Sequence, residues 1–252
     1  MKIEKIGVQL WTIRDYLKTS EQIKESLKKL KKIGYDQVET AGCSISYEEF
    51  GKIAKDTGIE IINTHENFDM MYNEFDKALE KQKFLGTLRM GIGGYRNETL
   101  ADFEEFIRKA NIVGKKIHDC GGRLSYHNHH VEFKKIENGI VPMELLAEKL
   151  DPVNTSIELD THWVQRGGGD VREWIKKLKG RIEILHLKDF ALDENFNPIY
   201  AEIGNGNMYW EGIMEEADKA GVKYYVVEQD TCPGDPFDSL KMSSDFLHRN
   251  FM

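Results

Sequence analysis

Thr155–Lys188 reads TSIELDTHWVQRGGGDVREWIKKLKGRIEILHLK. It opens on a short run carrying Ile157 and Leu159, passes through a helical pattern over Val171–Leu178, and closes on a run rich in Ile and Leu. Strand, crossover helix and second strand make the parallel βαβ unit, with a right-handed connection. Both runs end on ionisable residues: Asp160 with His162 just beyond, then His186 with Lys188. Alternate residues of a strand share a face, so Glu158, Asp160 and His162 point one way, as do Ile184, His186 and Lys188. The triplet Gly167-Gly168-Gly169 before Asp170 reads as a helix start with Asp170 as N-cap, in preference to a phosphate cradle.

The same rhythm extends in both directions. Strand-like runs are Lys5–Trp11, Asp36–Thr40, Ile59–His65, Thr87–Ile92, Arg123–His129, Thr155–Asp160, Ile182–Lys188 and Tyr224–Glu228. They are short and rich in Ile, Val, Leu and Tyr, as strands in a covered sheet should be. Helical patterns separate them at Glu21–Ile33, Tyr47–Thr57, Glu98–Cys120, Met143–Leu150, Val171–Leu178 and Trp210–Ala220, with a last one from about Ser239 toward His248. The first has Ser20 as N-cap candidate and Ile23, Leu27, Leu30 and Ile33 on one stripe. Lys28, Lys29, Lys31 and Lys32 then form its solvated side. Eight such units in 252 residues predict an α/β fold, a (β/α)8 barrel built as a single domain over 1–252. A doubly wound open sheet is the competitor, but it usually has fewer strands, and no GxGxxG follows the first run.

Composition narrows the function. With 35 Lys+Arg against 43 Asp+Glu the formal net charge is −8, and 40% of residues are hydrophobic. Disorder is excluded, and no nucleic-acid partner is expected, because phosphate neutralisation wants a basic face. No apolar run reaches the ~20 residues of a membrane span. Met1–Trp11 lacks a signal-peptide core, which points to a cytoplasmic protein. The three cysteines (Cys43, Cys120, Cys232) are widely spaced and read as reduced thiols.

In a (β/α)8 barrel the chemistry sits at the C-terminal ends of the strands. Here the second run ends in Glu39 and the third in His65. The fifth ends in His127 and His129, with Glu132 beyond, and the eighth in Glu228 with Asp230 following. Carboxylates brought together inside a barrel repel one another and resist desolvation unless neutralised. A divalent cation does this economically, and mixed His/Asp/Glu ligands suit Mn²⁺, Mg²⁺, Zn²⁺ or Co²⁺.

Tyr126–Phe133 (YHNHHVEF), Ile157–Trp163 (IELDTHW), Ile184–Asp189 (ILHLKD), Gly204–Trp210 (GNGNMYW) and Val226–Asp230 (VVEQD) resemble the xylose isomerase-like TIM-barrel superfamily. Within it they resemble the sugar phosphate isomerase/epimerase branch, as do Ile6–Arg14 (IGVQLWTIR) and Tyr35–Gly42 (YDQVETAG). The resemblance implies one divalent metal held by an acidic residue, an Asp, a His and a Glu. Carried over, Asp160, His186 and Glu228 match. Relatives often have a Glu ending the fifth strand where this chain has His127-Asn128-His129, so the preferred first ligand is Glu132, with His127 as the substitute. A metal-dependent isomerase or epimerase of a small-molecule carbohydrate is the expected activity, and a homo-oligomer is compatible with it.

Glu132, Glu228, His127 and His129 are the candidates for moving the proton. Lys188 could bind substrate oxygens, a plain ion pair with Asp189 being the alternative. His65, Glu39 and His162 are substrate-binding candidates; His65 and Glu39 could line the pocket floor, or merely pair with each other or a neighbour. Trp11 and Trp163 could wall a sugar ring or simply pack in the core. Loss of water from a keto-sugar or inosose is the competing reaction. Two classes rank lower: DNA repair of the apurinic-site endonuclease kind, which needs extra histidines for a three-metal cluster, and a non-catalytic sugar-binding barrel.

Overall fold

A computed structural model describes residues 2–95 and 97–252. The strands are β1 (Gly7–Gln9), β2 (Gln37–Thr40), β3 (Glu60–His65), β4 (Arg89–Ile92), β5 (Arg123–His127), β6 (Thr155–Asp160), β7 (Ile182–Leu187), β8 (Asp189–Leu192), β9 (Pro198–Ala201) and β10 (Tyr224–Val227). β1 to β7 follow one another round a closed barrel, and β10 completes it between β7 and β1, every pairing being parallel. β8 and β9 form a separate antiparallel hairpin. The (β/α)8 TIM barrel is therefore the observed fold.

Its helices are α1 (Ser20–Lys32), α2 (Tyr47–Thr57), α3 (Phe68–Asn73), α4 (Phe75–Leu85), α5 (Leu100–Asp119), α6 (Pro142–Lys149), α7 (Thr161–Arg166), α8 (Val171–Lys177), α9 (Trp210–Ala220) and α10 (Pro236–Phe251). α1 buries Ile23, Leu27 and Leu30, as its periodicity requires, and its lysines face solvent. Its cap is Thr19, whose hydroxyl accepts from Gln22 N, and not Ser20. α5 starts on a capping box between Thr99 and Asp102, and α8 starts on Asp170, which accepts from Arg172 N and Glu173 N. Among the described residues no helix is long and apolar enough to cross a membrane.

Strand alternation sorts the side chains. Outward residues such as Leu124, Tyr126, Ile157, Leu159, Leu185 and Leu187 are buried in the main core. A small separate cluster of Ile62, Ile184 and Val226 packs together. Because Ile184 and Val226 share faces with His186 and Glu228, this cluster is an apolar plug inside the barrel, below the site.

Three elements depart from the expected pattern. The first run is cut short: after Gln9 the chain enters a 3-10 helix over Leu10–Tyr16, because the Gln9 side chain accepts from Trp11 N. The long interval after β3 folds into α3 and α4. Beyond β7 the chain turns back as the β8–β9 hairpin, organised by Asp189. That side chain is fully buried and is not the partner of Lys188. Its Oδ2 accepts from Gly204 N (2.8 Å), Gly206 N (3.2 Å) and Trp210 Nε1 (2.7 Å), and its Oδ1 from Phe190 N (2.8 Å). One carboxylate thus ties the hairpin to the loop that starts α9. Gly206 is required there, since a Cβ would lie 2.3 Å from Asp189 Oδ1.

Removing this carboxylate strands several buried donors, each costing about 1–3 kcal/mol. Asp189→Ala should therefore lower the unfolding free energy in urea by roughly 3–5 kcal/mol. A loss below about 1 kcal/mol would show that water replaces the carboxylate.

Candidate active site

Inward side chains from six strand ends meet in two clusters that share His186. The deeper one contains Glu39, His65, Glu158 and His186; the outer one contains His127, Asp160, His186 and Glu228. β2 delivers Glu39, β3 His65, β5 His127, β6 both carboxylates, β7 His186, and the residue after β10 is Glu228. In register, Asp160 lies beside His186, and His186 beside Val226.

Each group in the deeper cluster is held by named partners. Glu158 Oε2 accepts from Ser125 Oγ (2.8 Å) and Asn63 Nδ2 (2.9 Å). Glu158 Oε1 faces His65 Nε2 (2.7 Å) and His186 Nε2 (2.9 Å). Glu39 accepts from Gln9 Nε2 (3.0 Å), pairs with His65, and lies 3.2 Å from His186 Nε2. Burial alone would lower the His65 pKa, but Glu39 and Glu158 together lift it to about 10. Burial likewise opposes the ionised Glu158, and His65 and His186 overcome this to hold its carboxyl well below the usual range.

In the outer cluster His186 Nδ1 is 3.1 Å from Glu228 Oε2 and 3.9 Å from Asp160 Oδ2, and His127 Nε2 is 3.3 Å from Asp160 Oδ2. Asp160 divides its oxygens: Oδ1 caps α7 by accepting from Trp163 N (2.9 Å), and Oδ2 faces the cluster. Lys188, almost wholly buried, sits 3.2 Å from Glu228, 3.6 Å from Asp160 and against Asp230. Its ammonium also lies 4.7 Å from the Trp163 ring centre and 5.3 Å from that of Tyr200. Burial disfavours the ionised Glu228, but Lys188 and His186 hold it well below the ordinary carboxylate range. Burial raises Asp160 and Asp230 instead.

Each outer residue offers one ligand atom, and these atoms lie within 4.8 Å of one another. Ligands at roughly 2.0–2.6 Å from a shared ion are separated by at most about 4–5 Å, so this spacing suits a metal. Two carboxylates and two imidazoles are a donor set for a divalent cation. The buried His127 Nδ1 has no hydrogen-bond partner among the described residues. Burial and the neighbouring His186 push the His127 pKa well below its usual value, leaving a neutral ring as a ligand needs.

The structure does not bring Glu132 to either cluster. The chain leaves β5 at His127 and turns into a 3-10 helix over Val131–Phe133. Glu132 there accepts from Tyr126 Oη (2.7 Å) and His129 N (2.8 Å). It holds the loop that carries His129, and His127 stands beside Asp160 in the outer cluster.

A cavity of about 520 Å³ opens over the outer cluster, lined by Trp11, His65, His127, His129, Glu228 and Asp230 among others. Trp11 stands at its rim, 43% exposed, with the Arg14 guanidinium 4.6 Å from its ring centre. Burial and the neighbouring His127 lower the His129 pKa to about 3, so it is a neutral imidazole near pH 7. Trp163 and His162 pack behind this wall. Trp163 lies between His129 and His130, and His162 Nδ1 donates to Asp189 O (2.9 Å) while its ring stacks on Tyr200. Glu39 is fully buried beneath the floor.

Sequence reasoning missed Glu158 as a site residue, although its shared face with Asp160 was visible. It also missed Gln9, Asn63 and Ser125, which look unremarkable as strand residues. The role of β4 was missed too: its run ends in glycines because it supplies space. A Cβ on Gly93 would meet His65 Nδ1 at 2.5 Å, and one on Gly94 would meet His129 Cε1 at 3.1 Å.

The fold is shared with solved sugar phosphate isomerase/epimerase structures. One from Parabacteroides distasonis superposes with a TM-score of 0.83 at 24% identity, covering 98% of this chain and 94% of that one. A probable 3-DHS dehydratase, AsbF, from Bacillus anthracis gives 0.75 at 13% identity over 98% and 100% of the two chains. A family 2 AP endonuclease from Brucella melitensis gives 0.73 at 14% identity over 99% and 100%. Other matches include a sugar epimerase and a xylose isomerase domain protein. No family model matches the chain, and no curated protein does. At these identities the likeness is one of fold.

Glu132→Ala should separate anchoring from ligation. It leaves two buried donors unpaired, so stability should fall by about 2–4 kcal/mol in urea while bound metal, measured by mass spectrometry of the purified protein, stays at the parent's level. Loss of metal without loss of stability would return Glu132 to the ligand set.

Proposed function

We propose that the chain is a metal-dependent carbohydrate isomerase or epimerase, transferring a proton at the carbon next to a carbonyl. The observation that carries this is the convergence of His127, Asp160, His186 and Glu228 at the base of a cavity that His127, Glu228 and His129 line. A divalent cation bound there supplies a Lewis acid that acidifies the C–H bond next to a carbonyl. The residues' own work is to bind and orient the sugar and to move the proton.

Glu228 is ionised and opens to the cavity, so it serves as one proton acceptor. His129, neutral at working pH, serves as the other. Lys188 stays charged: burial opposes this, but Glu228, Asp160 and Asp230 raise its pKa. It offers its ammonium to the oxygen on which negative charge grows. Trp11 gives an apolar surface for the sugar at the rim. Elimination of water needs a general acid beside the base, and the imidazolium formed when His129 takes the proton fills that part, so delivery of that proton to carbon or to a neighbouring hydroxyl separates the two reactions.

Ketoses, inososes and 3-keto-glycosides incubated in heavy water with Mn²⁺ should test the reading. Deuterium should enter one substrate class without net loss of water, and chelator treatment should abolish exchange. An unsaturated product would replace isomerisation by dehydration, and exchange that survives chelation would remove the metal from the mechanism. Asp160→Asn should cut exchange at least a hundredfold through loss of metal. His129→Ala should slow turnover at least tenfold with metal content intact, each tenfold being about 1.4 kcal/mol of barrier. Unchanged turnover in His129→Ala would take that imidazole out of the chemistry.

A further inference from the structure

We propose that Glu158, assisted by Glu39, is a positioning residue that fixes the proton of His186 on Nε2 and so presents Nδ1 to the outer cluster as a ligand. The inference rests on the reading of that cluster as a cation site.

The two clusters share His186 but differ in character. In the deeper one, Glu158 Oε2 already accepts from Asn63 and Ser125, and Glu39 accepts from Gln9. Its carboxylates are engaged by donors built into β1, β3 and β5. In the outer one, Asp160 Oδ2 and Glu228 Oε2 face only imidazoles and Lys188, and His127 Nδ1 has no partner among the described residues. A cation therefore fits the outer cluster, and the deeper one is its support.

His186 is the element between them. Its Nε2 lies 2.9 Å from Glu158 and 3.2 Å from Glu39, and its Nδ1 points the other way, at Glu228 and Asp160. Carboxylates face both nitrogens, so a neutral ring serves both sides only with a cation between Nδ1 and the outer carboxylates, and then in one arrangement: N–H toward the deeper carboxylates, lone pair outward to the ion. The backbone is pinned too, since Thr161 Oγ1 donates to His186 O (3.0 Å). A metal-bound imidazole ordinarily donates its other N–H to a carboxylate or carbonyl, and loss of such a partner costs about 10–100-fold in metal affinity.

The test uses Zn²⁺ as probe, titrated in competition with a chromophoric chelator, together with long-range proton–nitrogen NMR of the histidines. In the Zn²⁺-loaded parent, His186 should carry its proton on Nε2 with Nδ1 bound. Glu158→Leu should weaken Zn²⁺ binding about 10–100-fold and release the Nε2–H resonance to exchange. Glu158→Gln should bind within threefold of the parent, because its carbonyl still accepts from His186, and a turn of the Asn63 amide brings Oδ1, which has no partner among the described residues, to its amide protons. A proton on Nδ1 in the loaded parent, or Glu158→Leu binding within threefold, would overturn the inference while leaving the cation site standing. A parent that binds no Zn²⁺ would overturn both. The NMR arm uses the unaltered protein, so the inference remains testable even where Glu158→Leu does not fold.

Discussion

His186 is the residue on which the interior depends. Its ring lies between carboxylates above and below, in a place from which water is excluded by the apolar plug of Ile62, Ile184 and Val226. Burying Glu39, Glu158 and Asp160 without compensation would cost several kcal/mol for each ion. The barrel meets that cost in two ways. Deep inside it uses imidazoles and fixed donors from Gln9, Asn63 and Ser125, which complete the coordination of Glu39 and Glu158. Nearer the mouth it uses Lys188 and a histidine pair and leaves oxygens facing inward. The first arrangement is rigid and closed; the second is open to a ligand.

The surrounding fold keeps this arrangement in register. Parallel pairing sets Asp160 beside His186, and the α7 cap made by Asp160 Oδ1 fixes which of its oxygens turns inward. On the far side, β4 contributes no ionisable group. Its glycines let His65 and His129 approach more closely than any side chain there would permit. The β8–β9 hairpin covers the remaining flank, with Tyr200 stacked on His162 and near the Lys188 ammonium.

Much of this was legible in the sequence. Period-two alternation put His186 and Lys188 on one face and Asp160 on the same face as Glu158, and strand–helix alternation placed those faces inside a barrel. Two physical limits account for the rest. Strand alternation identifies a face only while the strand continues, and nothing in YHNHHVEF marks the turn after His127 that sends Glu132 to Tyr126. Gln9 is a similar case, since a polar residue inside an apolar run gives no sign that its side chain will cap the next helix. The second limit is that space carries no chemical signature. Gly93 and Gly94 read as turn residues, and their function follows only from the imidazoles beside them.

A fold that also houses a dehydratase and an AP endonuclease does not choose a reaction. The choice lies in where the cavity wall delivers its protons. Burial acts on His129 and Lys188 in the same direction, against charge, yet their states differ because their neighbours differ. Three acidic residues surround Lys188 and keep it charged, whereas the His129 ring faces the His127 imidazole, its centre 4.9 Å away. A fixed positive charge thus lies behind the cavity wall at Glu228 and Asp230, and a neutral proton acceptor lines it on the side of His129. Whichever of Glu228 and His129 takes the proton from carbon becomes an acid, and the anion collapses when that acid gives the proton back. Return of the proton to carbon interconverts stereoisomers, whereas delivery of the same proton to a neighbouring hydroxyl expels water, so where the bound sugar's hydroxyl stands relative to the protonated base decides the reaction.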